Sequence, residues 1–144
     1  MVVHMIKLSV GTESVDSLQA WVEEQQVIRA QQGLPAERVH TTRMTPKRQK
    51  EILEGGSMYW VIKGVVQARQ KILDLREVTG SDGIKRCEIV MSPQLIRTEN
   101  QPKRAFQGWR YLKLEDAPRD LSSYSEDDDL PPAFRRELAD LGLL

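Results

Sequence analysis

The stretch Met58 to Val66 constrains this chain most. It is mostly β-branched or aromatic and nearly continuous, as a strand buried on both faces must be. Just upstream, Ile52 and Leu53 are the inward residues of a short helical pattern, and Gly55-Gly56 stops it. Gly64, inside the apolar run, marks a bulge or a tight bend.

Other elements arrange themselves around that strand. His4 to Val10 reads as a first strand closed by Gly11. Ser14 can cap a helix whose apolar stripe is Val15, Leu18, Trp21, Val22 and Ile28, ended by Gly33-Leu34-Pro35. Val39 to Met44 suits a second strand, and Thr45 is the expected cap of the short helix, with Pro46 at its first position. From Val65 to Arg76 the alternation of Gln67, Arg69 and Lys71 favours a strand, although Ala68, Ile72 and Leu75 also fit a helical face. Ser81-Asp82-Gly83 signals a turn, Ile84 to Met91 a partner strand, and Lys103 to Leu112 the last strand.

Leu114 to Pro132 lacks periodicity, whereas Phe134, Leu138 and Leu141 recur at helical spacing. The expected organisation is a single α+β domain over 1–113, an acidic exposed connection over 114–132, and a C-terminal helix over 133–144 that docks on the domain. The element order implies a small bent sheet or pseudo-barrel with two or three helices packed around it.

The 144 residues suffice for one packed core. A single cysteine, Cys87, excludes an internal disulfide. Neither a signal-peptide pattern nor an apolar run of membrane-spanning length occurs, so a cytoplasmic protein without a membrane partner is expected. The balanced total charge conceals an asymmetry. Residues 1–28 hold one basic side chain against four acids, residues 29–113 hold 17 against 8, and residues 114–144 hold 3 against 9. The local nets are −3, +9 and −6, and local density sets the field that a polyanion meets.

Two segments of the basic middle interleave cations with rings. In the first, Arg43, Lys47 and Arg48 surround the expected helix N-terminus, whose free N–H groups suit a phosphate. Tyr59 and Trp60 follow, and as neighbours on a strand they point to opposite faces. The second is Pro102-Lys103-Arg104-Ala105-Phe106-Gln107-Gly108-Trp109-Arg110-Tyr111. As one strand it would place Arg104, Phe106 and Arg110 on one face and Trp109 on the other. Arginine beside an exposed ring stacks an unpaired base and neutralises its phosphate. Enzyme signatures are weak: His4 and His40 lack Cys or acidic neighbours at metal-ligand spacing, and no nucleophile elbow, P-loop or Rossmann pattern occurs. No cofactor or metal is expected.

HTTRMTPKR, GGSMYWVIKG, QARQKILDLR and RAFQGWRYL, with the start MIKLSVG and the late DAPRDL, resemble a proteobacterial family of conserved hypothetical proteins, a domain of unknown function about this long. Lys50 to Gly56 followed by Ser57 to Lys63 also resembles the helix-to-core-strand junction of PUA-like and ASCH-type domains. That resemblance implies a pseudo-barrel that contacts RNA or modified nucleotides. Some small ASCH proteins are amide hydrolases using a lysine and a threonine just after this turn. Here Ser57 to Lys63 has no threonine and its lysine comes late.

The expectation is therefore a non-catalytic RNA-binding domain. Arg43, Lys47 and Arg48 hold phosphate, Lys63, Arg69, Arg104 and Arg110 extend the track, and Tyr59, Phe106 or Trp109 stacks a base. The alternatives are a hydrolase of a modified nucleoside or amide, using Lys63 and His40 at a pocket near Gly55-Gly56, and a protein-interaction module whose acidic tail shields the basic face.

Overall fold

Seven strands and two α-helices are present in the computed structural model, which describes residues 1–121. In chain order they are β1 (Val3–Leu8), α1 (Val15–Gln31), β2 (Arg38–Thr42), α2 (Gln49–Leu53), β3 (Ser57–Ile62), β4 (Val65–Thr79), β5 (Lys85–Met91), β6 (Ile96–Pro102) and β7 (Trp109–Lys113), followed by a 3-10 turn at Leu114–Asp116. The pairing order is β2-β5-β4-β3-β1-β7, with β6 also on β4. Only β1 and β3 run parallel.

All six residues of β3 are buried, as its composition requires. Met58, Trp60 and Ile62 enter one apolar cluster with Val15, Leu18 and Val22 of α1 and Ile52 of α2. Tyr59 and Val61 enter a second cluster with Ile6, Val66 and Leu112 on the opposite face. Lys63 and Gly64, with φ of 49° and 79°, turn the chain so that Ile62 pairs with Val65. Two left-handed residues are what a tight hairpin of this twist needs. Gly64 is thus the turn itself and not a bulge within a longer strand.

β4 is a strand throughout, 15 residues long, and it joins two part-sheets. Val65 to Lys71 pairs with β3 and Ile72 to Thr79 with β5, the register shifting between Ile72 and Asp74. Such a shift bends a strand and raises its twist. The bend carries β2 back over the first part-sheet: His40 of β2 meets Trp60 of β3 edge-on at 5.8 Å between ring centres. With β5 and β4 between them in a flat sheet, they would lie about 14 Å apart. The sheet is nevertheless open, with β2 and β7 at its two ends among the described residues, so of the two expected forms the bent α+β sheet is found and the pseudo-barrel is not.

Local structure departs from sequence expectation at several places. α2 begins at Gln49, with no side-chain cap. Tertiary structure overrides Thr45-Pro46, because the Lys47 and Arg48 N–H groups donate to the Tyr111 hydroxyl at 2.9 and 3.1 Å. β1 stops at Leu8, two residues early. Lys103 to Leu112 is not one strand; Gly108, at φ 69°, separates a loop from β7. β6 was not anticipated at all: Ile96-Arg97-Thr98-Glu99-Asn100-Gln101 is mostly polar, and Thr98 is its one buried residue.

At α1 the agreement is close. Ser14 and Ser17 form a reciprocal capping box, each side chain accepting the other's backbone N–H at 3.0–3.1 Å. Val15, Leu18 and Val22 are buried, but Trp21 is 46% exposed and Ile28 37%. The residues just past 113 belong to the fold, since Arg119 O accepts from Glu99 N at 2.7 Å and Asp120 bridges to Thr98. The remainder of the expected connection and the C-terminal helix lie outside the described residues. Among these, no helix is long and apolar enough to cross a membrane.

Candidate functional site

At the carboxyl end of β1 the chain leaves the sheet through Ser9 to Ser14 and enters α1. This turn, the first part of α1, β2 and the middle of β3 enclose a cleft of about 590 Å³ lined by Lys7, Ser9, Thr12, Trp21, Arg38, His40 and Trp60, among others. Alternation places Lys7 on the Met5 face of β1, in register with Trp60 and with Trp109. Arg38 and His40, two apart on β2, reach the same space.

Arg38 dominates its electrostatics. The guanidinium lies between two indoles, 5.0 Å from the Trp21 ring centre and 4.5 Å from that of Trp60. Nη1 donates to Gln70 Oε1 at 2.5 Å. Gln70 is fully buried and also accepts from Trp60 Nε1 at 3.0 Å and donates to Ser92 O at 3.2 Å. This network fixes the arginine against the indole. No carboxylate pairs with Arg38 among the described residues; the adjacent Glu37 accepts from Arg29 and Arg76 instead. Burial pushes the Arg38 pKa down to about 10, so the group stays charged at neutral pH.

His40 behaves oppositely. Burial, with Lys7 and Arg38 nearby, lowers it to about 4 and keeps the ring neutral. The cleft therefore combines two cations, a neutral imidazole and an indole open on one face. A desolvated cation without a counter-ion is costly, and this one faces space large enough for a ligand. The arrangement can bind an anion carrying a planar ring. Glu13, at the mouth, is held by Lys63 at 2.7 Å, which lowers the carboxyl pKa.

The residues expected from sequence distribute unevenly around this cleft. Lys47 and Arg48 meet β7 through the Tyr111 hydroxyl, Trp109 Nε1 donates to Met44 O at 2.8 Å, and the Trp109 and Tyr111 rings lie 4.9 Å apart. The two basic and aromatic segments thus come together, on the sheet face that carries Lys7 and Trp60. Arg48 is occupied, however, donating twice to Glu51 and lying 5.4 Å over the Tyr111 ring. The helix N-terminal phosphate site does not form, because Tyr111 takes its N–H groups and α2 has only five residues. Arg43 and Lys47 are exposed and carry no ion pair among the described residues.

Arg110 projects from the other face of β7, with Leu112, and lies 5.3 Å over Phe106; Lys103 is 6.0 Å from the same ring. Arg104 is exposed in that loop. Lys63 is tied to Glu13, and Arg69 to Asp120 through two hydrogen bonds of 2.7–2.8 Å. Tyr59 and Trp109 are 4% and 7% exposed. Neither offers a free ring face, and Tyr59 and Trp60 point to opposite faces of β3 as expected, but both are buried. The continuous basic track is thus divided by β7.

Sequence reasoning missed Lys7, Trp21 and Arg38 as site residues. The only local signal was Arg38-x-His40 at the start of a strand, a pattern that any solvated edge could carry. Compared with known proteins, residues 5–144 match a family described as protein of unknown function (DUF1489). No curated protein and no solved structure matches the chain.

Proposed function

This chain belongs to the DUF1489 family of unknown function, and we propose that it is a non-catalytic binding domain for single-stranded RNA. The observation that carries the reading is Arg38, a charged group held between two indoles without a carboxylate partner and facing a large cleft. One nucleotide sits there, its base against the exposed face of Trp21 and its phosphate on Arg38 and Lys7. Stacking tolerates any base, and the cations neutralise the backbone. Lys47 and Arg43, both exposed and without an ion pair among the described residues, take phosphates of neighbouring nucleotides. Arg48, Lys63 and Arg69 are committed to carboxylates, and Arg104, Phe106 and Arg110 lie on the other side of β7, so these stay outside the contact surface.

The test is fluorescence anisotropy of a short labelled single-stranded RNA, and of the same sequence as DNA, titrated with the full chain across a salt series. Three neutralised phosphates give a slope of log affinity against log salt of about −2, at roughly 0.7 per phosphate on a single strand. Replacing Arg43 and Lys47 by glutamine should reduce its magnitude by about 1.4. No binding at low salt, or an affinity indifferent to salt, would remove the reading.

A further inference from the structure

The cleft between Trp21, Arg38 and Trp60 carries more positive charge than one internal phosphate answers. Its lining holds three charged side chains, Lys7, Glu13 and Arg38. Glu13 is neutralised by Lys63 at 2.7 Å, whereas Lys7 and Arg38 make no ion pair among the described residues. His40 feels those same two cations. α1 adds only Ser17, Leu18 and Trp21 to the lining, and β3 only Trp60, so neither brings a charge of its own. Two positive charges are left unanswered.

The turn that bounds the cleft offers a neutral donor as well. Ser9 Oγ and Thr12 Oγ1 both line it and share one hydrogen bond of 2.5 Å. Two hydroxyls joined by one bond keep one O–H between them, and no other acceptor takes it among the described residues. The volume, about 590 Å³, is that of a site for one small molecule, not of a track for a polymer. A phosphate monoester carries a charge of about −1.5 to −2 at neutral pH and three strong acceptor oxygens. An internal phosphodiester carries about −1.

We infer that the cleft takes a strand end: a terminal phosphate monoester, its oxygens on Arg38, Lys7 and the Ser9–Thr12 hydroxyl pair, with its own nucleotide filling the cleft. The inference rests on the RNA reading for base and ribose, and on the charge balance of the cleft for the phosphate. The base of a terminal nucleotide has one face free of neighbours, which suits Trp21, whose ring is covered by Arg38 on one side only. Both ends of a strand can present the same group, so the ligand is a phosphorylated terminus, 5′ or 3′.

The test is calorimetric titration of the full chain with one short unlabelled RNA, made with a 5′-phosphate, with a 3′-phosphate and with hydroxyls at both ends. At pH 7.5 at least one phosphorylated form should bind at least about 10-fold more tightly than the hydroxyl-ended strand, the effect of one added charge-assisted contact. Lys7→Gln should remove most of that gain. The gain should also shrink at pH 5, where the monoester has taken up its second proton, with a pKa of about 6. The cleft itself does not account for such a loss: Arg38, at about 10, stays charged, His40, at about 4, stays neutral, and Lys63 holds Glu13 ionised. The assignment is overturned if neither phosphorylated form outbinds the hydroxyl-ended strand, a result that leaves the RNA reading standing. A gain undiminished by Lys7→Gln or at pH 5 overturns it equally. If no RNA binds in any form, the 5′- and 3′-monophosphates of uridine decide. Binding of either one where uridine does not bind sustains the terminal-phosphate site without the RNA reading, and binding of neither removes both.

Discussion

Arg38→Met should weaken RNA binding by roughly 30- to 150-fold, the 2–3 kcal/mol that truncating a buried, hydrogen-bonded charge costs a complex. The same substitution should leave thermal stability unchanged or raise it. In the wild-type protein the guanidinium is desolvated with no carboxylate to offset the loss, which is why its pKa falls to about 10. Methionine fills a similar path between Trp21 and Trp60 without charge. Gln70 loses one partner, about 1 kcal/mol, but keeps Trp60 Nε1 and Ser92 O. Opposite movement of affinity and stability is the expected mark of a group retained for binding. Anisotropy and a thermal melt on one preparation check it. A lower melting temperature with unaltered RNA affinity would make Arg38 a structural residue.

The largest effect on folding is expected from Gly56→Ala. A Cβ at this position would lie 2.4 Å from Val3 O and 2.6 Å from Ile52 O, both backbone atoms that no rotamer change can move. The surrounding geometry is pinned as well: Gly56 N–H donates to Ile52 O at 2.7 Å, and Gly56 O accepts from Ile72 N at 3.0 Å. Relieving the clash means shifting α2 away from β1 and β3, so a loss of about 3 kcal/mol or more is expected, in the range of severe overpacking. Gly83→Ala is the control. It meets nothing within 4 Å and suffers only from its φ of 78°, about 1 kcal/mol. Urea midpoints for the two variants measure the difference. Equal midpoints would mean that the α2–β3 junction is looser than its contacts indicate.

The part of this fold that could be read from sequence was the part whose signal is local. β3 was legible because both its faces are apolar, α1 because Ser14 caps it ahead of Val15, Leu18 and Val22, and the β4–β5 turn because Asp82-Gly83 demands it. β6 was invisible, since its residues are mostly polar and only Thr98 among them is buried. The start of α2 was misplaced because a hydroxyl on β7, more than 60 residues away in sequence, captures the two N–H groups that a helix start would leave free.

The cleft was hidden for the same reason on a larger scale. Arg38 in the sequence is one arginine of a basic middle. It becomes a half-buried cation only because the register shift in β4 curls β2 over Trp60. Likewise, Trp21 reads as core on a helical stripe, but it lies at the stripe's edge, where Arg38 covers one ring face. Basic composition indicated a polyanion, whereas the pairing of each cation decided which of them are available.

The central claim is that RNA engages the Trp21–Arg38–Trp60 cleft, and the three tryptophans make it directly measurable. Each indole N–H gives its own signal in a nitrogen–proton correlation spectrum, assigned by single Trp→Phe variants. On titration with single-stranded RNA, the signals of Trp21 and Trp60 should move together and saturate, while that of Trp109, whose N–H is held by Met44 O, moves least. Movement of Trp109 alone, or of none of the three under conditions where RNA binds, would place the contact elsewhere and contradict the account.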